Sequence, residues 1–114
     1  MFWCYDILQE SFTYLTGKTR IEQRPTDLEV FAKTDAKFTC SGTTDFEEVK
    51  NLRVKWLKDR KEISYTNQRM TTNVQDNSLT ISGTISRDSG FYTCVVTNGL
   101  DEETASAILT VKGI

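Results

Sequence analysis

The chain has 114 residues, 14 basic against 16 acidic, a net charge of −2 and 38% hydrophobic residues. That is material for one core and not two. The near-neutral balance leaves no electrostatic footprint for nucleic acid, and no run of about 18 apolar residues is present to cross a bilayer as a helix. Histidine is absent. This removes Ser-His-Asp and Cys-His catalysis and any zinc site built on His ligands. Three cysteines are present, an odd number that asks which two pair and what the third does.

Residues 1–18 crowd Phe2, Trp3, Tyr5, Ile7, Leu8, Phe12, Tyr14 and Leu15 together without strict alternation. Asp6, Gln9 and Glu10 interrupt any apolar run, and no basic residue leads it, so no export signal is legible. The segment reads as a non-domain N-terminal piece: a tail, an alternative exon or an artefact of the gene boundary. The domain itself is expected over residues 19–113.

From Arg20 onward the pattern is short strands and turns. Ile21 to Arg24 is an extended run closed by Pro25, which suits an edge. Leu28 and Val30 alternate with polar neighbours, as do Ala36, Phe38 and Cys40. Ser41 to Asp45 reads as a loop that the acidic stretch to Glu48 extends. Leu52, Val54 and Trp56 alternate again, before a charged turn over Asp59 to Glu62. Arg69 to Thr72 is a short β-prone run, Gln75 to Asn77 is turn chemistry, and Leu79 and Ile81 follow with alternation. Tyr92, Cys94 and Val96 form the next strand. Asn98-Gly99 is a hairpin signal, since both residues tolerate positive φ. Ala105, Ala107, Leu109 and Val111 close the series. No helix is expected after residue 19. About eight short strands at this spacing give an all-β, antiparallel sandwich.

Cys40, Trp56 and Cys94 fall on inward positions of three separate strands. A second motif, Asp88-Ser89-Gly90-Phe91-Tyr92-Thr93-Cys94, puts a tyrosine two residues before a cysteine. There a tyrosine ring fills the core edge while its hydroxyl bonds backbone at the turn. Gly90 suits the tight backbone of such a corner. Asp88 is placed to accept backbone amides and to pair with Arg69.

With Ser78-Leu79-Thr80-Ile81 added, residues 20–112 resemble an immunoglobulin domain of the intermediate (I-set) type. The interval from Trp56 to Cys94 is short for a variable-type domain, and the Gly-x-Gly bulge of that type is missing. The resemblance implies an inter-sheet disulfide between Cys40 and Cys94, with Trp56 packed against it and Leu79 in the core. Closing that loop stabilises a fold by about 4 kcal/mol in the chain-entropy model. Cys4 is then the leftover thiol.

The flanks are more particular. Thr19-Arg20-Ile21-Glu22-Gln23-Arg24-Pro25 and Ser106 to Gly113 resemble the ends of the last immunoglobulin domain in neuroglian-type and neurofascin-type neural adhesion molecules. That family strings immunoglobulin and fibronectin type III domains together ahead of one membrane span. The resemblance implies a module at the outer face of the plasma membrane, in adhesion and axon guidance. Its partners would be proteins and the neighbouring domains, and the chain itself would not insert in the membrane. No Arg-Gly-Asp occurs, so the integrin motif of some vertebrate relatives does not carry over. Two other readings stay open: a structural I-set domain of an intracellular muscle protein, with reduced cysteines, and a ligand-binding domain of a receptor ectodomain.

The remaining charged groups read blandly. Arg53, Lys55, Lys58, Arg60 and Lys61 suit the solvated face of a sheet guarded against edge pairing. Asp101-Glu102-Glu103 cannot alone supply the oxygens a calcium ion needs. No cofactor, metal site or enzyme constellation is expected.

Overall fold

The computed structural model describes residues 19–63 and 69–113. The expected N-terminal segment over 1–18, and Cys4 with it, lies outside the described residues. Among the described residues ten strands run in chain order: β1 Arg20–Gln23, β2 Leu28–Phe31, β3 Ala36–Phe38, β4 Ser41–Thr43, β5 Arg53–Lys58, β6 Lys61–Glu62, β7 Met70–Thr72, β8 Leu79–Ile81, β9 Gly90–Thr97 and β10 Glu102–Lys112. One layer has the order β2-β10-β9-β5-β6. The other carries β3-β8-β7, with β4 continuing the course of β3 to pair with β1. All pairings are antiparallel except β2 with β10.

The layers meet because the apolar residues keep strand period. Ala36, Phe38 and Cys40 face Leu79 and Ile81 within one layer, and Trp56, Tyr92, Cys94, Val96, Ala107 and Leu109 line the other. Polar residues on alternate positions of β10 stay exposed. The N-terminal run changes layer at the buried Pro25: β1 belongs to one sheet and β2 to the other. Proline suits that crossing because it has no amide proton to leave unpaired.

Three local expectations are corrected. Ser41 to Thr43 is a strand and not a loop. Its Gly42 lies so close to β1 and β9 that an added Cβ would sit 2.9 Å from the Arg20 carbonyl oxygen. The acidic stretch is a 3₁₀ helix over Phe46–Asn51, and a second 3₁₀ turn spans Ser86–Asp88, where no helix was expected. The hairpin after β9 is not a two-residue turn with both residues at positive φ. Only Gly99 is there, at 92°. Asn98 makes the turn with its side chain, whose Oδ1 accepts the Leu100 and Asp101 amides at 2.7 and 2.9 Å.

Candidate functional site

The centre of the sandwich is a covalent pin. Cys40 and Cys94 are bonded, with their Cα atoms 6.5 Å apart. Trp56 lies directly opposite Cys94 in the β5–β9 register. Its indole N–H donates to the Asn77 carbonyl at 2.9 Å, so the one polar atom of a buried ring is satisfied. Phe38 sits between Trp56 and Tyr92, with ring centroids 6.2 and 5.1 Å away. Leu79 is fully buried beneath them.

The second constellation is the corner where the 3₁₀ turn enters β9. The Tyr92 hydroxyl donates to the Asp88 carbonyl at 2.6 Å. Asp88, 3% exposed, holds the bidentate fork of Arg69 at 2.9 and 3.0 Å. Its Oδ2 also accepts the Ile85 amide at 2.9 Å. Burial works against the Asp88 charge, but the Arg69 guanidinium and the Ile85 amide outweigh it and hold the carboxyl below its ordinary range. Burial, helped by the Asp88 and Asp59 charges, pushes the Tyr92 phenol well up. The phenol is therefore a hydrogen-bond donor at any working pH.

Gly90 adopts φ 149°, and a Cβ there would lie 2.6 Å from Asp59 Oδ1. The close approach has a purpose. Asp59 Oδ1 accepts the Phe91 amide at 2.9 Å while the Asp59 amide donates to the Phe91 carbonyl at 2.9 Å. The β5–β6 turn is thereby sewn to the start of β9. Asp59 and Arg60 occupy left-handed backbone at φ 50° and 73°, as a tight hairpin requires. Lys58 bonds Asp59 at 2.7 Å and lies 5.7 Å above the Tyr92 ring. Asp59 therefore joins Asp88, Gly90 and Tyr92 in one corner, a part that sequence reasoning did not assign to it.

A third cluster gathers at the opposite pole. Thr19 is buried, and its amide and hydroxyl both bond the Asp101 carboxylate. Asn98 Nδ2 donates to Thr44 Oγ1 at 2.9 Å. Sequence reasoning weighed Asp101 only as a calcium ligand, set that aside, and gave it no structural part. It ties the start of β1 to the β9–β10 hairpin instead. Among the described residues no group of three or more His, Cys, Asp or Glu is placed to hold a metal ion. No helix among them is long and apolar enough to cross a membrane.

The outward face of the larger sheet differs from both poles. Phe91 and Ile108 are cross-strand partners and remain 51% and 45% exposed. Beside them Thr93 and Ser106 share a hydroxyl hydrogen bond of 2.7 Å, and Arg60 closes one side of a shallow hollow of about 150 Å³.

The sequence profile of the immunoglobulin I-set domain matches residues 19–111. Over 84% of its length the chain is 41% identical to Neuroglian of Drosophila melanogaster and 38% identical to Neurofascin of Gallus gallus. It spans only 7% of each of those proteins. The N-terminal Ig1-2 module of the Drosophila receptor protein tyrosine phosphatase DLAR superposes with a TM-score of 0.76 at 28% identity, over 84% of this chain and 50% of that one. With a two-layer β-sandwich, a disulfide between the layers and this profile match, the chain belongs to the immunoglobulin I-set family and is related to the neural adhesion molecules neuroglian and neurofascin.

Proposed function

We propose that this domain is a non-enzymatic module in the extracellular stack of a neuroglian-like neural adhesion protein. It spaces its neighbours and offers surface strands to protein partners. The observation that carries the reading is the 41% identity to Neuroglian across 84% of the chain. The Cys40–Cys94 bond supports it, because such bonds persist in oxidising compartments. In this reading the corner built on Asp88, Arg69, Gly90 and Tyr92 has a mechanical role: it keeps the module rigid between its neighbours. The neighbours are immunoglobulin and fibronectin type III domains, and the membrane anchor belongs to another part of the protein.

Thiol titration of denatured protein, freshly isolated from its native source, tests the compartment. One free thiol of the three cysteines is expected. Three free thiols would overturn the extracellular reading and favour a reduced, intracellular structural domain. Antibody labelling of intact, unpermeabilised cells expressing the full-length protein supplies the second arm, and the epitope on this domain should be accessible.

A further inference from the structure

We propose that Asn98 is a self-modification site: it converts to aspartate and isoaspartate whenever the β9–β10 hairpin opens, and its conversion loosens the start of β1. This goes beyond the adhesion-module reading and does not rest on it. The co-reactant is water. In an Asn-Gly pair the glycine amide nitrogen, once it has given up its proton, attacks the asparagine Cγ. The new N–Cγ bond closes a succinimide ring, the Cγ–Nδ2 bond breaks, and the side-chain nitrogen leaves as ammonia. Water then adds to either ring carbonyl and opens the ring. One product is aspartate. The other is isoaspartate, in which the main chain runs through Cγ. Nothing is oxidised or reduced. Glycine permits the attack because it has no Cβ to crowd the nitrogen. Asn98 is the one asparagine followed by glycine, since Asn51, Asn67, Asn73 and Asn77 precede Leu, Gln, Val and Ser.

The folded turn restrains each reacting atom. The lone pair that attacks lies where the amide proton was, and the Gly99 amide aims that proton at Thr97 Oγ1, 3.0 Å away. Thr97 is fixed in turn, because its hydroxyl donates to the Asp101 carbonyl at 3.0 Å. The Asn98 carboxamide is held from three sides. Oδ1 accepts the Leu100 and Asp101 amides, and Nδ2, the leaving group, donates to Thr44 Oγ1. Asn98 is buried, so the water that must protonate that nitrogen is kept away. Ring closure therefore waits for local opening, and its rate is the intrinsic rate multiplied by the open fraction. The product lands at a join. Asn98 Nδ2, Thr44 Oγ1, Thr19 Oγ1 and the Asp101 carboxylate form one line of hydrogen bonds. Conversion replaces the donor at one end with a charged acceptor, in a line that already ends on a carboxylate. Isoaspartate also moves the oxygen on which the Leu100 and Asp101 amides rely.

The full chain, incubated at mildly alkaline pH and followed by peptide mapping with mass spectrometry, tests this in buffer and in urea. In urea Asn98 should convert faster than Asn73 or Asn77, whose following residues are bulkier. In buffer its conversion should be at least about tenfold slower than in urea. Thr97→Val removes the acceptor of the Gly99 amide and should speed conversion in buffer about fivefold, with the rate in urea unchanged. Thr97→Ser keeps the hydroxyl and should stay within about twofold of the parent. The converted chain, separated by ion exchange, should exchange its Thr19 and Ile21 amides with deuterium at least about fivefold faster than the parent. Exchange at Cys94, in the centre of the sheet, should not move in any of these chains, which separates local opening from general unfolding. Equal rates in buffer and urea overturn the proposal, as does a Thr97→Val chain that converts no faster than the parent. So does the absence of conversion in urea, or a converted chain whose Thr19 and Ile21 amides exchange as before.

Discussion

Replacing Tyr92 by Phe isolates one bond. The ring is fully buried and stacks on Phe38 with centroids 5.1 Å apart, and a phenylalanine keeps both the burial and the stacking. What it loses is the 2.6 Å bond from the hydroxyl to the Asp88 carbonyl. That carbonyl belongs to a residue only 3% exposed, so water does not readily replace the donor. Leaving one buried acceptor unmet costs about 1–3 kcal/mol. We expect about 2 kcal/mol. With a urea m-value of about 1 kcal/mol/M for so small a domain, the midpoint falls by about 2 M. The melting temperature falls by about 10 °C. Equilibrium urea unfolding followed by tryptophan fluorescence and by far-ultraviolet circular dichroism should show this loss with m unchanged. Phe91→Ser, one residue earlier and exposed, should move stability by less than about 0.5 kcal/mol. A Tyr92→Phe loss of less than about 0.5 kcal/mol would refute the claim that the hydroxyl pins the corner.

Three further outcomes follow from the same geometry. Asp88 has a folded-state pKa below its unfolded one, so its contribution is complete above the ordinary aspartate range and is lost as pH falls through the depressed value. Asp88→Asn should therefore be clearly less stable than the parent at neutral pH, and the gap should narrow below about pH 4, read from urea midpoints across pH. Gly90→Ala, at φ 149° and with a Cβ 2.6 Å from Asp59 Oδ1, should cost about 2–4 kcal/mol in the same unfolding assay. It should cost less in an Asp59→Ala background, where the carboxylate is gone and only the backbone strain remains. The double replacement of Cys40 and Cys94 by Ala should lower stability by about 4 kcal/mol, the entropy returned to the unfolded chain, and a loss under about 1 kcal/mol would contradict that account.

The parts of the fold that were legible are those where one face is buried and one is wet. Ala36-Lys37-Phe38 and the long alternation from Ala105 to Val111 carry their own orientation, because a strand's period repeats in its hydropathy. The Tyr92 bond at the corner was legible for a different reason: the hydroxyl and the Asp88 carbonyl that it meets lie only four positions apart. Ser41-Gly42-Thr43 was not legible. Small polar residues look like a loop, and its glycine serves close packing between strands rather than a turn. Asp59 was missed because its partner, the Phe91 amide, is 32 positions away, and nothing in a charged turn announces so distant a bond. Asn98 was read for its backbone and acts through its side chain. The exposed pair Phe91 and Ile108 was equally hidden. Each occupies an outward position of an ordinary strand, and only the register brings them together.

The parallel pairing of β2 with β10 has a mechanical consequence. Thr19 is fastened to Asp101, at the beginning of β10, while Lys112 ends that strand at the other pole. A tension applied through the two ends of the domain therefore runs lengthwise along the seam where Leu28 to Phe31 lie beside Leu109 to Lys112. Loaded in that direction, the seam's hydrogen bonds share the force and must yield together, whereas bonds pulled crosswise open one after another like a zip. In a pulling experiment, replacing Val30 by Pro, which removes one donor from the edge strand, should lower the rupture force out of proportion to its effect on equilibrium stability. The same eight residues that complete a sheet edge at rest would set how much load this domain carries along its length before it gave way.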